Sequence, residues 1–178
     1  MDIGVDYVTL FKYDATPLIP YLSLDSSVWN FNSKIRDRIP VHTNTKSLIY
    51  VWPDEVNLQK REIYIGPSQS NILHKTVWDI AEKIRQQYSN ESVITMLVLA
   101  ALRPGKHIID HVDSPVLQTI HRCHLPIITS ANCTFNIGEG SYHFPKNIVF
   151  EFNNAKRHSV YNNSDTPRVH LLCDILSP

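Results

Sequence analysis

The chain lacks an excess of charge of either sign: 17 basic and 17 acidic residues among 178 give a formal net charge of +0. With the two signs interspersed there is no basic field to hold a nucleic-acid backbone or an anionic membrane surface, so neither is expected as a partner. Long apolar runs are missing too. The first twenty residues, MDIGVDYVTLFKYDATPLIP, hold no apolar stretch of signal length and are acidic where a signal peptide is basic, and no later run reaches the roughly 20 residues of a membrane span. A soluble, cytoplasmic protein is expected. Cysteine is scarce: Cys123, Cys133 and Cys173 are an odd number without metal-type spacing. Each lies in an apolar or alternating run, which predicts reduced, buried thiols rather than a disulfide framework or a zinc site. No internal repeat, low-complexity tract or linker interrupts the chain.

What is present is enough apolar material, 43% of residues, for one domain with a proper core, and the length is too short for two ordinary ones. A single domain over 1–178 is therefore expected. In its first third, Asp25 or Ser26 can cap a short helix through Val28, Trp29 and Phe31. Ser47 to Trp52 is rich in β-formers and Arg61 to Ile65 alternates before Gly66 and Pro67, predicting two strands joined by a polar loop. The clearest helix follows. Leu73, Val77, Ile80, Ile84 and Tyr88 form one stripe, with Lys75, Asp79, Lys83 and Gln86 opposite; Ser70 or Asn71 can cap its start and Ser89 and Asn90 mark its end. It reads as a packing helix lying on a sheet.

From Val93 the texture changes to short strands divided by turn residues. The apolar run Val93 to Leu102 predicts a buried strand, and Arg103 to Gly105 a turn. Then come His111 to Asp113, His121 to Thr129, Cys133 to Ile137, a turn at Gly138 to Gly140, Ser141 to Phe144, Asn147 to Phe152, His158 to Asn162 and Arg168 to Ile175. Strands at such spacing suggest a sandwich or jelly roll, so the fold class is mainly β with one or more flanking helices. Residues 93–176 form its core and 1–92 add N-terminal strands and the packing helix.

The chemistry centres on His111, Asp113 and His158. His and Asp two apart on an extended segment project to the same side, because side chains alternate with period two, and can share one metal ion. A second His from a distant strand completes two imidazoles and one carboxylate on one face of the ion. That is the facial triad of non-haem Fe(II) oxygenases, which leaves the opposite positions open for cosubstrate and oxygen. Chance alone supplies roughly half an HxD per chain of this composition, so the pair means little without its context. The context here is an apolar strand and a Pro-Gly turn before it, a His opening a later strand, and Arg168 opening the last one. Arg122 and His124 share one face of their strand while Cys123 and Leu125 take the other, and cationic or hydrogen-bonding side chains aimed into an apolar barrel are costly without an anion to meet. Arg168 and His170 repeat the pattern. A guanidinium that grips a carboxylate through two parallel hydrogen bonds suits a dicarboxylate cosubstrate such as 2-oxoglutarate.

Several of these stretches together carry a family resemblance: Leu102 to Gly105 (LRPG), His111, Arg122 to Ile127 (RCHLPI), Phe135, Arg157 to Asn162 (RHSVYN) and Arg168 to Asp174 (RVHLLCD). In this order, across about the C-terminal half, the chain resembles the aspartyl/asparaginyl β-hydroxylase group of 2-oxoglutarate oxygenases. The resemblance implies a double-stranded β-helix of jelly-roll, cupin-like form. It further implies iron binding by His111 and His158, a grip by Arg168 on the far carboxylate of 2-oxoglutarate, and help from Arg122 and His124 in binding the cosubstrate. The animal aspartyl hydroxylases lack a carboxylate at the second position of the HxD pair, whereas Asp113 is present here, restoring the full triad and weakening any transfer of their substrate. No motif in the N-terminal half carries over. His42, Trp52 and Trp29 are candidates for the substrate mouth by residue type alone, and core packing is the expected place of the two tryptophans.

The expected activity is thus hydroxylation of a C–H on a peptide side chain or amino acid, with Fe(II), 2-oxoglutarate and O2, and with another small molecule or a lipid as the nearest variant substrate. The competing expectation, from a different class, is a cupin-type module that binds metal through the same His and Asp and turns nothing over. Arg168 and the Arg122/His124 pair separate the two, since such a module needs no dicarboxylate grip.

Overall fold

A computed structural model describes residues 1–30, 39–54, 56–64 and 72–178. Its strands form two antiparallel sheets. The large one has seven strands in the order β1-β9-β6-β11-β4-β2-β3, and the small one four in the order β5-β10-β7-β8. In chain order these are β1 (Tyr7–Lys12), β2 (Thr45–Pro53), β3 (Arg61–Ile63), β4 (Val93–Leu102), β5 (His107–His111), β6 (His121–Ile128), β7 (Cys133–Ile137), β8 (Gly140–Tyr142), β9 (Ile148–Phe152), β10 (His158–Asn162) and β11 (Arg168–Leu176), with one helix, α1 (Ile72–Arg85), between β3 and β4. The two sheets face one another across Leu102, Phe135, Ile137, Phe150, Phe152 and Val160. This is the jelly roll that the strand spacing predicts.

Why the central strands read as unbroken apolar runs follows from what covers them. On β11, Val169, Leu171, Cys173 and Ile175 pack on one side with Leu73, Val77, Ile80, Ala81 and Ile84 of α1. By period-two alternation Arg168, His170, Leu172 and Asp174 face the opposite side, between the sheets. β6 obeys the same rule, with Cys123, Leu125 and Ile127 under the helix. β4 likewise sends Leu97, Leu99 and Ala101 to the helix and Met96, Val98 and Ala100 to the inner face. Cys123 and Cys173 stand opposite one another in the β6/β11 register, and all three thiols are free and buried.

The turn between β4 and β5 is closed by Lys106 donating to the Arg103 carbonyl at 3.3 Å. Pro104 suits its second position and Gly105, at φ +65°, its third, the arrangement of a type II turn. Behind it, the buried Asn162 amide donates to the carbonyls of Leu102, Arg103 and Thr166, tying this turn to the residues that lead into Arg168.

Some boundaries differ from expectation. The early helical turn is a short 3-10 segment, Ser27–Asn30, and Phe31, Ile65 to Pro67 and the capping candidates Ser70 and Asn71 lie outside the described residues. The helix ends at Arg85, so Tyr88, expected on its stripe, sits beyond it and gives its hydroxyl to Glu151 at 2.8 Å. No helix among the described residues is long and apolar enough to cross a membrane. Truncating Ile80, fully buried between α1 and the sheet, is expected to cost about 2–5 kcal/mol. Urea unfolding of Ile80→Ala checks this, as a lower midpoint at unchanged slope.

Candidate active site

β5 and β10 are neighbours in the small sheet, and their register places His111 directly opposite His158. The two rings sit 4.3 Å apart between centroids. Asp113 lies just past the end of β5, with Oδ1 4.0 Å from His111 Nε2. One ligand atom from each of His111, Asp113 and His158 can be chosen so that all lie within 4.8 Å of one another. Three side chains from two segments 45 residues apart in sequence therefore converge on one point.

The hydrogen bonds of the imidazoles fix their tautomers. His111 Nδ1 is 2.8 Å from the carbonyl of Ile109, and His158 Nδ1 is 2.9 Å from the carbonyl of Lys156. A carbonyl only accepts, so each Nδ1 carries a proton, and in the neutral ring that leaves the Nε2 lone pair for a metal. Burial of His158 pushes its pKa down to about 4, outweighing the Asp113 charge that raises it, so this imidazole is neutral at neutral pH. Two imidazole nitrogens and a carboxylate oxygen are a donor set that fits Fe(II) with coordination positions left open.

Arg122 binds both carboxylates behind this group. Its Nε and one terminal nitrogen donate to Asp174 at 2.9 and 2.7 Å, a two-pronged pair across adjacent strands, and its other terminal nitrogen donates to Asp113 Oδ2. Burial alone would lower its pKa, but the Asp113 and Asp174 charges raise it, so the guanidinium stays charged. Arg122 had been expected to help bind the cosubstrate; the structure places it as the bridge between the buried Asp174 and Asp113. Asp174 was visible in the sequence only as the last letter of RVHLLCD. Its signal is the alternation itself, which puts it on the inner face opposite Arg122. Gln118, also missed, steadies the same loop by donating to the Asp113 carbonyl at 2.7 Å.

Arg168 opens β11 on the same inner face, buried, with its guanidinium over the Phe135 ring at 5.6 Å and one terminal nitrogen 2.9 Å from His170 Nδ1. That makes His170 Nδ1 an acceptor, and His124 Nδ1 approaches the same atom at 3.4 Å. Burial and then the Arg168 charge hold His170 well below the usual histidine range. His111, Asp113, His158, Arg122, His124 and Arg168 all line one cavity of about 640 Å³. His170 does not; it stands behind Arg168, against which it is hydrogen-bonded. Of the mouth candidates, His42 and Trp52 line the cavity. Trp29 is in the main core with its indole donating to the Ser23 carbonyl at 2.8 Å.

Comparison with known proteins gives this geometry a family. The family model of the aspartyl/asparaginyl beta-hydroxylases matches residues 55–178. The chain belongs to that family. It is thereby an enzyme of the 2-oxoglutarate-dependent oxygenase type. Solved structures share the fold at low identity. An oxidoreductase of the 2OG-Fe(II) oxygenase family from Burkholderia pseudomallei is similar at TM-score 0.58 and 10% identity, over 74% of this chain and 67% of that one. A viral collagen prolyl hydroxylase from Paramecium Bursaria Chlorella virus-1, solved as its 2OG complex, is similar at TM-score 0.62 and 10% identity, over 98% of this chain and 97% of that one. No curated protein matches the sequence.

Two outcomes test the electrostatics of this β-hydroxylase-family site. Asp174→Asn, which strips Arg122 of its two-pronged partner inside the barrel, is expected to destabilise the fold by about 3–5 kcal/mol in denaturant titration. The second concerns pH. Because the folded pKa of His158 is depressed from 6.5 to about 4, the unfolded chain binds more protons in that window, and stability of the metal-free protein falls as pH drops through it. His158 alone contributes about 2 kcal/mol of loss between pH 7 and pH 5, and His170 adds to it with the same sign. Unfolding free energies measured across that range check the slope.

Proposed function

We propose that the chain is an Fe(II)- and 2-oxoglutarate-dependent hydroxylase of a C–H on a peptide side chain or amino acid. One observation carries this: a two-His, one-carboxylate group within mutual reach opens on the same cavity as a buried arginine. In this reading His111 Nε2, His158 Nε2 and Asp113 Oδ1 hold Fe(II), and Arg168 takes the far carboxylate of 2-oxoglutarate, with His170 and His124 setting the guanidinium's place behind it. A barrel that merely stored a metal would have no use for that second anchor.

Fe(II) held there would supply the redox chemistry that activates O2. The rest falls to the chain's own residues. The backbone carbonyls of Ile109 and Lys156 keep a proton on each Nδ1, so both imidazoles present a lone pair. Arg122 occupies Asp113 Oδ2, which leaves Oδ1 as the oxygen nearer His111 and fixes the plane of the carboxylate. The apolar side chains around the rest of the cavity exclude water from the reacting C–H. In overall balance, R–H, O2 and 2-oxoglutarate give R–OH, succinate and CO2. One oxygen atom ends in the succinate carboxylate and the other in the hydroxyl. Of the four electrons that reduce O2, two come from the oxidative decarboxylation and two from the C–H bond.

Purified protein with Fe(II) and ascorbate is expected to convert 2-oxoglutarate to succinate, slowly without substrate. His158→Ala is expected to lose both turnover and iron affinity, and failure of succinate to form together with unchanged iron affinity in that variant rejects the proposal. Arg168→Ala is expected to raise the KM for 2-oxoglutarate by about 10- to 150-fold, the equivalent of about 1.5–3 kcal/mol for a charged hydrogen-bonded pair. An unchanged KM moves the anchor elsewhere.

A further inference from the structure

Four residues of the large sheet stand in one cross-strand row. Met96 on β4 is opposite Asp174 on β11, Asp174 is opposite Arg122 on β6, and Arg122 is opposite Phe152 on β9. The row touches the two-His, one-carboxylate group at two places: Arg122 holds Asp113, and the Phe152 ring centroid is 5.0 Å from that of His158. Side chains directly opposite on one face of an antiparallel pair stand about 4.5–5.5 Å apart at Cβ, so Met96 is the neighbour of the carboxylate that grips Arg122. Met96 is 5% exposed and lines the same cavity as His111, Asp113 and His158. Of the chain's two methionines and three cysteines, it alone is on that lining among the described residues. Cys123 and Cys173 pack under α1, and Cys133 gives its thiol to Asn162 Oδ1 at 3.2 Å.

We propose that Met96 is a self-modification site: when an oxidising equivalent forms in the cavity and no substrate C–H is there to receive it, the thioether takes the oxygen atom and becomes methionine sulfoxide. The inference rests on the proposed function for the source of the oxidant, and on the strand register for the choice of residue. A thioether is soft and polarisable, and its sulfur accepts an oxygen atom through a lone pair with no C–H bond broken. The aliphatic side chains packed around it, Ile49, Val98, Ala100 and Leu172, offer no such route. In overall balance the thioether, O2 and 2-oxoglutarate give the sulfoxide, succinate and CO2. One oxygen atom ends on sulfur and the other in the succinate carboxylate. Of the four electrons that reduce O2, two come from sulfur and two from the oxidative decarboxylation. The site thus consumes an equivalent that would otherwise attack the ligand-bearing residues beside it.

The unaltered protein, loaded with Fe(II) and given 2-oxoglutarate and air but no substrate, is digested and its peptides are weighed by mass spectrometry, with succinate measured in the same sample. Met96 is expected to gain one oxygen atom in step with succinate, about tenfold or more ahead of Met1, because Met96 is the one held beside the source. Zn(II), which has no redox chemistry, is expected to spare Met96 when it replaces Fe(II). A second experiment needs no 2-oxoglutarate: Fe(II) and hydrogen peroxide, which turns a thioether into sulfoxide and water, are expected to mark Met96 ahead of Met1, and peroxide on the metal-free protein is expected to lose that order. Succinate formed while Met96 stays unmodified overturns the inference and leaves the proposed function standing. Oxygen found on the peptides of Met1 or Phe152 in place of Met96, an equal gain with Zn(II), or an unmodified Met96 in both experiments overturns it as well. Selective marking of Met96 by Fe(II) and peroxide, with no succinate from 2-oxoglutarate, upholds the inference about Met96 and rejects the proposed function instead.

Discussion

The constraint on which the structure rests is that β6 and β11 are covered on both faces. A strand exposed on one side can send its polar side chains to water. These two cannot, because α1 lies on one face and the second sheet on the other. Every polar side chain on their inner faces must therefore find its partner inside the barrel. Arg122 and Asp174 find one another across the register, Arg168 finds His170, and His124 completes the set. The same requirement that keeps the fold from being penalised for buried charge thus lays out an ordered row of cationic and anionic groups along one wall of the cavity.

The site inherits its order from this row. Asp113 sits on a loop, not a strand, and a loop carboxylate would be free to swing. Its tie to Arg122, which is itself gripped by Asp174 in the middle of the sheet, extends the rigidity of the β-ladder out to the loop. His111 and His158 are fixed differently, by strand register and by backbone acceptors two residues before each. A group that binds at their convergence meets donors oriented in advance, so that little reorganisation is needed on binding.

How far the sequence discloses all this depends on the range of the interaction. Period-two reasoning is local, and it correctly sorts Arg122 and His124 from Cys123 and Leu125 and assigns β11 its two faces. It also places the β4 turn, since Pro104 and Gly105 each answer a fixed backbone angle. What it cannot reach is which strands become neighbours. The facing of His111 by His158 is a product of the β5/β10 pairing, and the double engagement of Arg122 requires knowing that β6 lies beside β11. Hence local reasoning points Arg122 toward a ligand and does not reveal that the protein's own Asp113 and Asp174 already engage it. Tyr88 fails for a related reason: its spacing continues the helical stripe, but a bond to Glu151 on β9 wins once the helix has ended. The N-terminal half yields least, because β2 brings Thr45, Trp52 and Pro53 to the cavity only through its pairing with β4, and Ile39 to His42 reach it from a short irregular segment where no periodicity applies.

The thiols of Cys123 and Cys173 have a consequence for an enzyme of the oxygenase type. Both lie under α1, on the far side of the sheet from the cavity, and desolvation raises both well above the ordinary thiol range. The thiolate is the form that oxidants attack, and here it is suppressed. The sheet thereby acts as a bulkhead for these two thiols, and the thioether of Met96, which lines the cavity, is the sulfur left within reach of an oxidising equivalent formed there.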